Sequence, residues 1–361
     1  MKEIRKVRKV KSKQRTGAKI ILLTLLGFML VLSGCAGNND SSSQDQTIEL
    51  SLAHFFPATH PAETELIQPW AQAIEEATEG KVRIISYPGQ TLLQADAIYS
   101  GVVSGVADIG LSCFSYNRGR FPVLEVFELP GITYADSTSA SMVAWEGIRD
   151  LQPDEVKDTK LMMVFTTGPG DLYTKVPVRN MDDIKGLEIR ATGLSAKTLE
   201  QLGAIPVAMP QSDAYESLAR GVVQGNLGPV EVLQGWRQAE VTSYITKTPF
   251  LYNTLFYITM NQEKWDALSP ETQEIIETIN QEFFTEVARG LWDKQNEEAQ
   301  QWAQDEYGME IIQLSAEEAA KWITRVEPIQ QEYVNGIDQM GLNGTEILNK
   351  VKEMADLYNQ R

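Results

Sequence analysis

The sequence has very few of the residues on which metal centres, disulfides and acid–base catalysis usually depend. In 361 residues it contains two cysteines, Cys35 and Cys113, and two histidines, His54 and His60. These four side chains leave almost nothing for a zinc site or a His-based catalytic triad. The motifs GxGxxG, GxxxxGK[ST], HExxH, CxxC and GxSxG are also absent. We therefore expect no metal, no cofactor and no enzymatic activity.

Basic residues are scarce outside the first part of the chain. There are 32 Lys and Arg against 49 Asp and Glu, a formal net charge of −17. Nine of the basic residues and one of the acidic residues precede Cys35, so the remaining chain holds 23 basic and 48 acidic residues, a charge of −25. Such a charge repels phosphate backbones and anionic headgroups. We therefore expect no nucleic-acid partner and no peripheral membrane binding.

The first 35 residues have the order of a secretory signal. The nine basic residues are followed by an apolar run of 13 residues, Ile20–Leu32, shorter than the roughly 20 needed to span a bilayer. The ending Leu32-Ser33-Gly34-Cys35 resembles the lipobox of bacterial lipoproteins, which implies cleavage of residues 1–34 and lipid modification of Cys35. Residues 35–46 then form a predicted polar tether. The prediction is an extracytoplasmic, lipid-anchored protein; an uncleaved anchor or a buried helix is the alternative.

Beyond the tether, strand and helix patterns alternate. Residues 47–54 and 81–87 have strand character, and residues 61–80 have apolar side chains at helical spacing. The same order restarts after Thr159. A β-α-β series predicts a mostly parallel sheet covered by helices. The length favours two domains.

An internal repeat supports two related α/β lobes. Residues 101–105 (GVVSG) and 221–225 (GVVQG) each end a predicted helix before a strand, 120 positions apart. The apolar segment Phe250–Met260 predicts a buried strand that crosses between the lobes. Ser269-Pro270 is a helix start, and the periodicity behind it predicts a helix of about thirty residues or more that packs across both lobes.

One segment resembles a known family. Residues 183–229 contain KGL-x-IR, LGA-x-PV-x-MP and Y-x-x-L-x-x-G-V-V-x-G, and further likeness lies upstream in LAHFFPATHP, YPGQTL and GVADIG. Together these elements resemble the substrate-binding proteins of TRAP (tripartite ATP-independent periplasmic) transporters of the dicarboxylate type. The likeness covers nearly the whole chain after the tether.

The resemblance implies an α/β, two-lobe periplasmic-binding-protein-like fold with a ligand cleft between the lobes, crossing strands and a long spanning helix. Lobe I would comprise residues 47–166 and 257–295, and lobe II residues 167–256 and 296–361. It further implies a receptor that binds a small organic acid by lobe closure. The receptor would deliver this ligand to the small and large membrane subunits of the transporter. Two alternatives stay open: a receptor for an ABC transporter or sensor, and an extracytoplasmic enzyme acting on organic acids.

The resemblance also places the family's carboxylate-binding arginine at Arg190. The residue closes a predicted strand and precedes a predicted helix. Ligands of parallel α/β sheets bind at the carboxyl ends of strands, and a guanidinium can hold a carboxylate through two parallel hydrogen bonds. An ion pair with one of the many acidic residues is the structural alternative.

Departures from the family pattern bear on the ligand. Where many members have a second arginine, this chain has Gly168-Pro169-Gly170, and where many have an asparagine it has Gly228. Cys113 stands where some members have an acidic residue. Fewer polar groups in the site mean fewer polar atoms on the ligand. We therefore predict a monocarboxylate with an apolar or aromatic body.

Further candidates for the cleft lie near predicted strand ends and helix starts. These candidates are His54, Phe55, Phe114, Tyr173, Gln211 and Trp236. For His54 the alternative is a structural role with its ring held by hydrogen bonds. For Tyr173 and Trp236 the alternative is packing in the hydrophobic core.

Overall fold

The computed structural model describes residues 47–360, so the predicted signal segment, the tether and Cys35 lie outside the described residues. Within this range eleven strands form two sheets. In chain order the strands are β1 (Ile48–His54), β2 (Val82–Tyr87), β3 (Ile109–Cys113), β4 (Thr159–Thr166), β5 (Asp171–Thr174), β6 (Glu188–Ala191), β7 (Ile205–Ala208), β8 (Gly225–Gly228), β9 (Tyr244–Lys247), β10 (Leu255–Asn261) and β11 (Glu310–Gln313).

Thirteen α-helices cover these sheets in the described part of the chain. They are α1 (Gln68–Ala77), α2 (Ile98–Val103), α3 (Ser137–Leu151), α4 (Met181–Ile184), α5 (Gly193–Leu202), α6 (Gln211–Arg220), α7 (Val232–Gly235), α8 (Gln262–Asp266), α9 (Pro270–Glu286), α10 (Leu291–Tyr307), α11 (Ala316–Val326), α12 (Pro328–Gln339) and α13 (Gly344–Asn359). A wider π-helical segment, Ala62–Ile67, leads directly into α1.

Each sheet is the centre of one lobe. In lobe I the strand order is β2-β1-β3-β10-β4, with β1 parallel to β2 and β3, and with β10 antiparallel to β3 and β4. In lobe II the order is β11-β9-β5-β8-β6-β7, with β6 parallel to β7 and β8. The α/β class with two sheets is thus as the sequence predicts. The antiparallel strands β10 and β5 follow the two crossings between the lobes.

The repeat is real, but its register differs from the predicted one. Gly105, two residues after the end of α2, and Gly221, the residue after α6, each have a left-handed backbone (φ +74° and +75°). The next residues donate backbone hydrogen bonds back into the helix, Val106 to Gly101 at 2.8 Å and Val222 to Ser217 at 2.9 Å. This is a common glycine helix ending. In each lobe the strand begins four residues after the glycine. The equivalent positions are therefore 116 residues apart, not 120.

Two chain segments join the lobes side by side. Thr167 follows β4 and Thr254 precedes β10, and the backbone N–H of Thr167 donates to the carbonyl of Thr254 at 3.2 Å. The predicted crossing segment is therefore a strand only from Leu255 onward. The predicted long helix is α9 followed by α10, interrupted near Val287 (φ −126°, ψ −63°). Trp70 of α1 donates to Asn280 of α9 at 2.9 Å, which fixes α9 on lobe I.

The last two helices return to lobe I. Tyr333 of α12 donates to the carbonyl of Val123 at 3.0 Å, and Asn359 at the end of α13 accepts from the backbone of Ala135 at 2.7 Å. Both partners flank elements of lobe I. The assignment of residues 296–361 to lobe II therefore needs a correction: α12 and α13 belong with lobe I, because their buried faces pack there.

Candidate functional site

A cavity lies between the two lobes, beside the two crossing segments. Its volume is about 20 Å³, room for roughly one water molecule, so the side chains around it lie close together. Residues after β1, β3 and β8, at the end of β6 and at the start of α6 and α7 contribute to it. The lining residues are Phe55, Phe56, Cys113, Tyr116, Thr167, Arg190, Thr192, Gln211, Pro229, Glu231, Val232, Trp236, Tyr252, Thr254 and Phe256.

Arg190 is the one cationic side chain among these lining residues, and it is 1% exposed. Its Nε–H donates to the carbonyl of Met209 at 3.0 Å, and Nη1 donates to Oδ1 of Asn226 at 3.4 Å. Neither acceptor is a carboxylate, and within residues 47–360 no acidic side chain forms an ion pair with it. A buried charge without a counterion is costly. The arrangement is therefore suited to an anionic ligand.

The glycine segment that replaces a second arginine has no room for a side chain. A Cβ on Gly168 would lie 2.6 Å from the backbone nitrogen of Ser137, and one on Gly170 would lie 2.4 Å from the carbonyl oxygen of Gly228. Gly168 also has a left-handed φ of +70°. The close approach of these backbones means that this segment contributes no second cation to the cavity.

Aromatic rings from both lobes form one wall of the cavity. The ring of Phe55 is stacked on that of Trp236, with centroids 6.0 Å apart, and lies edge-on to Tyr116 at 5.3 Å. Phe56 and Phe256 are stacked at 5.7 Å. Such a wall favours a flat apolar body on a ligand.

Two polar side chains of the cavity have unpaired atoms. Both amide atoms of Gln211 and Nε1 of Trp236 are buried without a hydrogen-bond partner in the described structure. Gln211 is the first residue of α6, and its backbone N–H donates to the hydroxyl of Tyr116 at 3.0 Å. Buried polar groups are normally satisfied. These groups are therefore available to a bound molecule.

Acidic groups lie in and next to the cavity. His60 and Glu231 are both buried, and Nε2 of the histidine lies 3.2 Å from Oε2 of Glu231. Glu128 does not line the cavity, but it accepts a hydrogen bond from the backbone of Leu255, the residue after the lining Thr254. Burial raises the pKa of its carboxyl to about 8. Burial likewise raises the pKa of the Cys113 thiol well above its usual value, so Cys113 contributes a neutral surface.

Five of the predicted site residues line this cavity: Phe55, Cys113, Arg190, Gln211 and Trp236. The other four do not, and each has a structural reason. Phe114 packs on Phe121 and Tyr257 in lobe I at 4.8 Å, and Tyr173 is fully buried in the core of lobe II. His54 and Gly228 are likewise committed elsewhere.

His54 is held within lobe I, because its Nε2 lies 2.8 Å from Oε2 of Glu63. Gly228 is the last residue of β8, where it pairs with Asp171 of β5. A Cβ there would lie 3.0 Å from Nδ2 of Asn226. We therefore leave these four residues out of the candidate site.

Sequence reasoning missed several lining residues, above all Glu231. This residue comes shortly after β8, at the same edge of the sheet as Arg190 near the end of β6. Applying the strand-end rule to every strand of lobe II could have identified it. The crossing residues Thr167 and Thr254 had no comparable signal, since their position depends on how the two crossings pair.

Two further features are absent from the described residues. No helix within residues 47–360 combines the length and the apolar character needed to cross a bilayer. In the same range no group of three or more His, Cys, Asp or Glu side chains is arranged to hold a metal ion.

Comparison with known proteins relates this architecture to solute receptors. A TRAP periplasmic solute-binding protein from Desulfovibrio salexigens, described as an open complex, is 36% identical, with 87% of this chain and 97% of that chain covered and a TM-score of 0.75. A marine metagenome TRAP solute-binding protein from an unidentified microbe, specific for aromatic acid ligands and in complex with metahydroxyphenylacetate, is 28% identical over 86% of this chain and 99% of that chain, with a TM-score of 0.81.

A relative with a different ligand is equally similar in sequence. The C4-dicarboxylate-binding periplasmic protein DctP of Rhodobacter capsulatus is 28% identical over 73% of this chain and 80% of its own length. Sequence identity alone therefore does not separate aromatic acids from dicarboxylates. The family model that matches residues 52–336 is described as bacterial extracellular solute-binding protein, family 7. With most of its length matched, the chain belongs to this family, the solute-binding proteins of TRAP transporters.

Proposed function

We propose that this protein is the extracytoplasmic receptor of a TRAP transporter for a small organic monocarboxylate with an aromatic or other apolar body. The carboxylate binds to the guanidinium of Arg190, and the body of the ligand lies against Phe55 and Trp236. The amide of Gln211 and the surface of Cys113 complete the contacts. Closure of the two lobes about Thr167 and Thr254 encloses the ligand, which the receptor then delivers to the small and large membrane subunits without altering it.

The observation that carries this proposal is that Arg190 is buried and that, within the described residues, its guanidinium forms no ion pair with an acidic side chain. Its bonds to Met209 and Asn226 orient the guanidinium but do not neutralise it. With one cation and no room for a side chain at positions 168 and 170, the cavity can compensate the charge of one ligand carboxylate at most. A second carboxylate would be desolvated without a partner.

The location is part of the same proposal. Lipid modification of Cys35 would hold the receptor at the outer face of the cytoplasmic membrane or in the periplasm, close to its membrane subunits. Cys35→Ser should abolish metabolic labelling with a radioactive fatty acid. Mature wild-type protein that still carries residues 1–34 would contradict this part.

The function is tested by identifying and titrating the ligand. Mass spectrometry of the compound that copurifies with the protein, followed by calorimetric titration of the same acid, should identify a monocarboxylate that is recovered unchanged. A panel of aromatic and branched monocarboxylates should bind more tightly than succinate or malate. Tight binding of small dicarboxylates alone would contradict the proposed ligand class, and conversion of the acid would contradict the receptor role.

A further inference from the structure

The cavity has a charge of each sign, and the two do not meet. Arg190 and Glu231 both line it, and both are buried. Within residues 47–360 no ion pair joins them; the partner of Glu231 is His60. Arg190 instead donates to uncharged acceptors. The cavity therefore contains one cationic and one anionic side chain that are not in contact with each other.

The hydrogen bonds of His60 fix its tautomer. Its Nδ1 accepts from the backbone N–H of Ala62 at 3.0 Å, so the ring proton is on Nε2. Nε2–H then donates to Oε2 of Glu231 at 3.2 Å. Because the imidazole stays neutral in this arrangement, the pair keeps the negative charge of the carboxylate. Within residues 47–360, Oε1 of Glu231 has no donor, and it is the atom that can accept a hydrogen bond from a ligand.

The surrounding backbone is shaped to hold this pair. A Cβ on Gly235 would lie 2.6 Å from Oε2 of Glu231 and 3.1 Å from Nε2 of His60. Any larger residue at this position would push the two side chains apart. The backbone N–H of Glu231 is fixed in turn by Oδ1 of Asn296 in α10 at 3.0 Å. His60 of lobe I therefore holds the carboxylate of Glu231, while Asn296 of α10 holds its backbone.

Aromatic rings connect the two charged groups. Tyr116, whose hydroxyl is bound by the N–H of Gln211, lies on the side of Arg190. Phe55 packs between Tyr116 at 5.3 Å and Trp236 at 6.0 Å, and Trp236 lies 5.9 Å from the ring of His60. A flat ligand on this wall, with its carboxylate on Arg190, has its other end near Glu231.

We infer that the cavity selects an organic acid that also carries a hydrogen-bond donor, a hydroxyl or amino group, at the end away from its carboxylate, and that Glu231, oriented by His60, accepts from that donor. The inference rests on the proposed function and narrows its ligand class. The same carboxylate repels a second carboxylate at that end of the ligand. Glu231 thus both favours the donor and disfavours dicarboxylates.

The test uses one scaffold with one variable group. Phenylacetate and its hydroxy, amino and carboxy derivatives, substituted at position 3 or 4, are titrated into the wild-type protein by calorimetry. For at least one position, we expect the hydroxy or amino acid to bind about tenfold to a hundredfold more tightly than phenylacetate, the range for a hydrogen bond to a charged group. Comparing the affinity of the amino derivatives with that of the hydroxy derivatives shows which kind of donor the cavity prefers. The carboxy derivative should bind more weakly than phenylacetate.

The variant Glu231→Gln should abolish the preference for the amino derivative and weaken that for the hydroxy derivative. Its amide oxygen would accept from His60 and leave an NH₂ group facing the ligand. An amino group on the ligand would then meet another donor, and a hydroxyl could only accept from a neutral amide instead of donating to a carboxylate. The carboxy derivative should then bind better than it does to the wild type. Glu63→Gln is the matched control, because Glu63 forms a similar buried pair with His54 outside the cavity. It should keep the wild-type preference. Gly235→Ala, which displaces the pair without removing it, should also lose the preference.

The possible failures can be separated. If the acids bind in an Arg190-dependent manner but the donor gives no advantage at either position, the inference is overturned and the proposed function stands. An undiminished preference for the hydroxy or amino derivative in a folded Glu231→Gln variant also overturns it. If no acid of the panel binds to the wild type, or if binding does not depend on Arg190, the proposed function fails for this class and the inference fails with it. Circular dichroism establishes that each variant is folded.

Discussion

Two buried histidine–glutamate pairs with the same atoms in contact lie in different surroundings. The pair His54–Glu63 is internal to lobe I, and both oxygens of Glu63 are occupied: Oε2 by His54 at 2.8 Å and Ser86 at 2.9 Å, and Oε1 by Gln68 at 3.1 Å. The pair His60–Glu231 joins the two lobes, and His60 is the only side chain of the described structure that donates to that carboxylate.

The difference separates a structural pair from a binding pair. A carboxylate with all its donors in place stabilises the fold and offers nothing to a ligand. A carboxylate with an open oxygen at a cavity has unused hydrogen-bonding capacity, which a ligand can satisfy. For buried polar groups, the number of occupied acceptor sites is therefore more informative about function than residue type or burial.

The largest expected effect tests whether the cleft is a ligand site at all. Arg190→Ala would leave the ligand carboxylate desolvated and unpaired, at a cost of about 3–5 kcal/mol in binding free energy. Affinity should fall about a hundred-fold to several-thousand-fold in calorimetric titrations. Arg190→Lys should recover part of this loss, since an ammonium cannot reproduce the planar guanidinium contact. Arg179, which is exposed and paired with Glu310, provides the control Arg179→Ala, whose affinity should equal that of the wild type. Equal affinities in all four proteins would remove Arg190 from the site.

Glu128 extends the comparison to a buried glutamate without a basic partner. Burial raises the pKa of its carboxyl from 4.5 to about 8, so between these values the folded protein holds a proton that the unfolded chain releases. The stability from this group is complete below pH 4.5 and is lost as the pH rises to about 8, with a slope of at most roughly 1.4 kcal/mol per pH unit. Glu128→Gln, which cannot ionise, should flatten the decline in urea unfolding between pH 5 and about 8. An unchanged slope would contradict the assignment.

The internal pair should affect stability and leave binding unchanged. In Glu63→Gln the new NH₂ group would face a side chain that donates to Glu63 in the wild type. The free energy of unfolding should therefore fall by about 1–3 kcal/mol at neutral pH. Burial opposes ionisation of Glu63, but hydrogen bonds from His54, Ser86 and Gln68 outweigh it and lower the pKa of its carboxyl. Its contribution is therefore present above pH 4.5 and is lost as the pH falls through the lower folded value. Denaturant unfolding from pH 3 to 7 checks this, and a change in ligand affinity as large as that of Glu231→Gln would contradict the comparison.

The smallest expected signal is the closure that brings His60 to Glu231. Gly193 of lobe II approaches lobe I so closely that a Cβ would lie 2.7 Å from Cβ of Ser115, and its φ is +51°. Saturating ligand should reduce the radius of gyration by a small fraction of its roughly 20 Å, and Gly193→Ala should reduce this change. Small-angle scattering measures both. An unchanged radius, with binding demonstrated by calorimetry, would argue against closure.

Much of the fold follows from local patterns. Strands such as β1 and β4 were predictable because alternating or continuous apolar residues are bounded by turn residues. The repeat was predictable from its glycines, but its register was not, because GVVSG and GVVQG contain two glycines each and only Gly105 and Gly221 end a helix. The position of α13 was not predictable from periodicity, which shows that a helix has a buried face but not the lobe on which that face packs.

The candidate site was predictable to the extent that it depends on strand ends. That rule and the family resemblance together led to Arg190, and Phe55 and Cys113 also lie after or at the end of strands in the cavity lining. The rule could not choose between His54 and His60, because the choice depends on which face of the chain after β1 meets lobe II. The rule could have placed Glu231 near the cavity, but it does not assign a binding role to one carboxylate in a chain with 49 acidic residues. The role of Glu231 depends on an empty acceptor, which only three-dimensional contacts reveal.

The most direct test is a crystal structure of the wild-type protein with the tighter-binding isomer of hydroxyphenylacetate. We expect the carboxylate on the guanidinium of Arg190, the ring against Phe55 and Trp236, and the hydroxyl on Oε1 of Glu231, with His60 still on Oε2. A ligand whose carboxylate lies away from Arg190, or one bound outside the cleft between the lobes, would contradict the account.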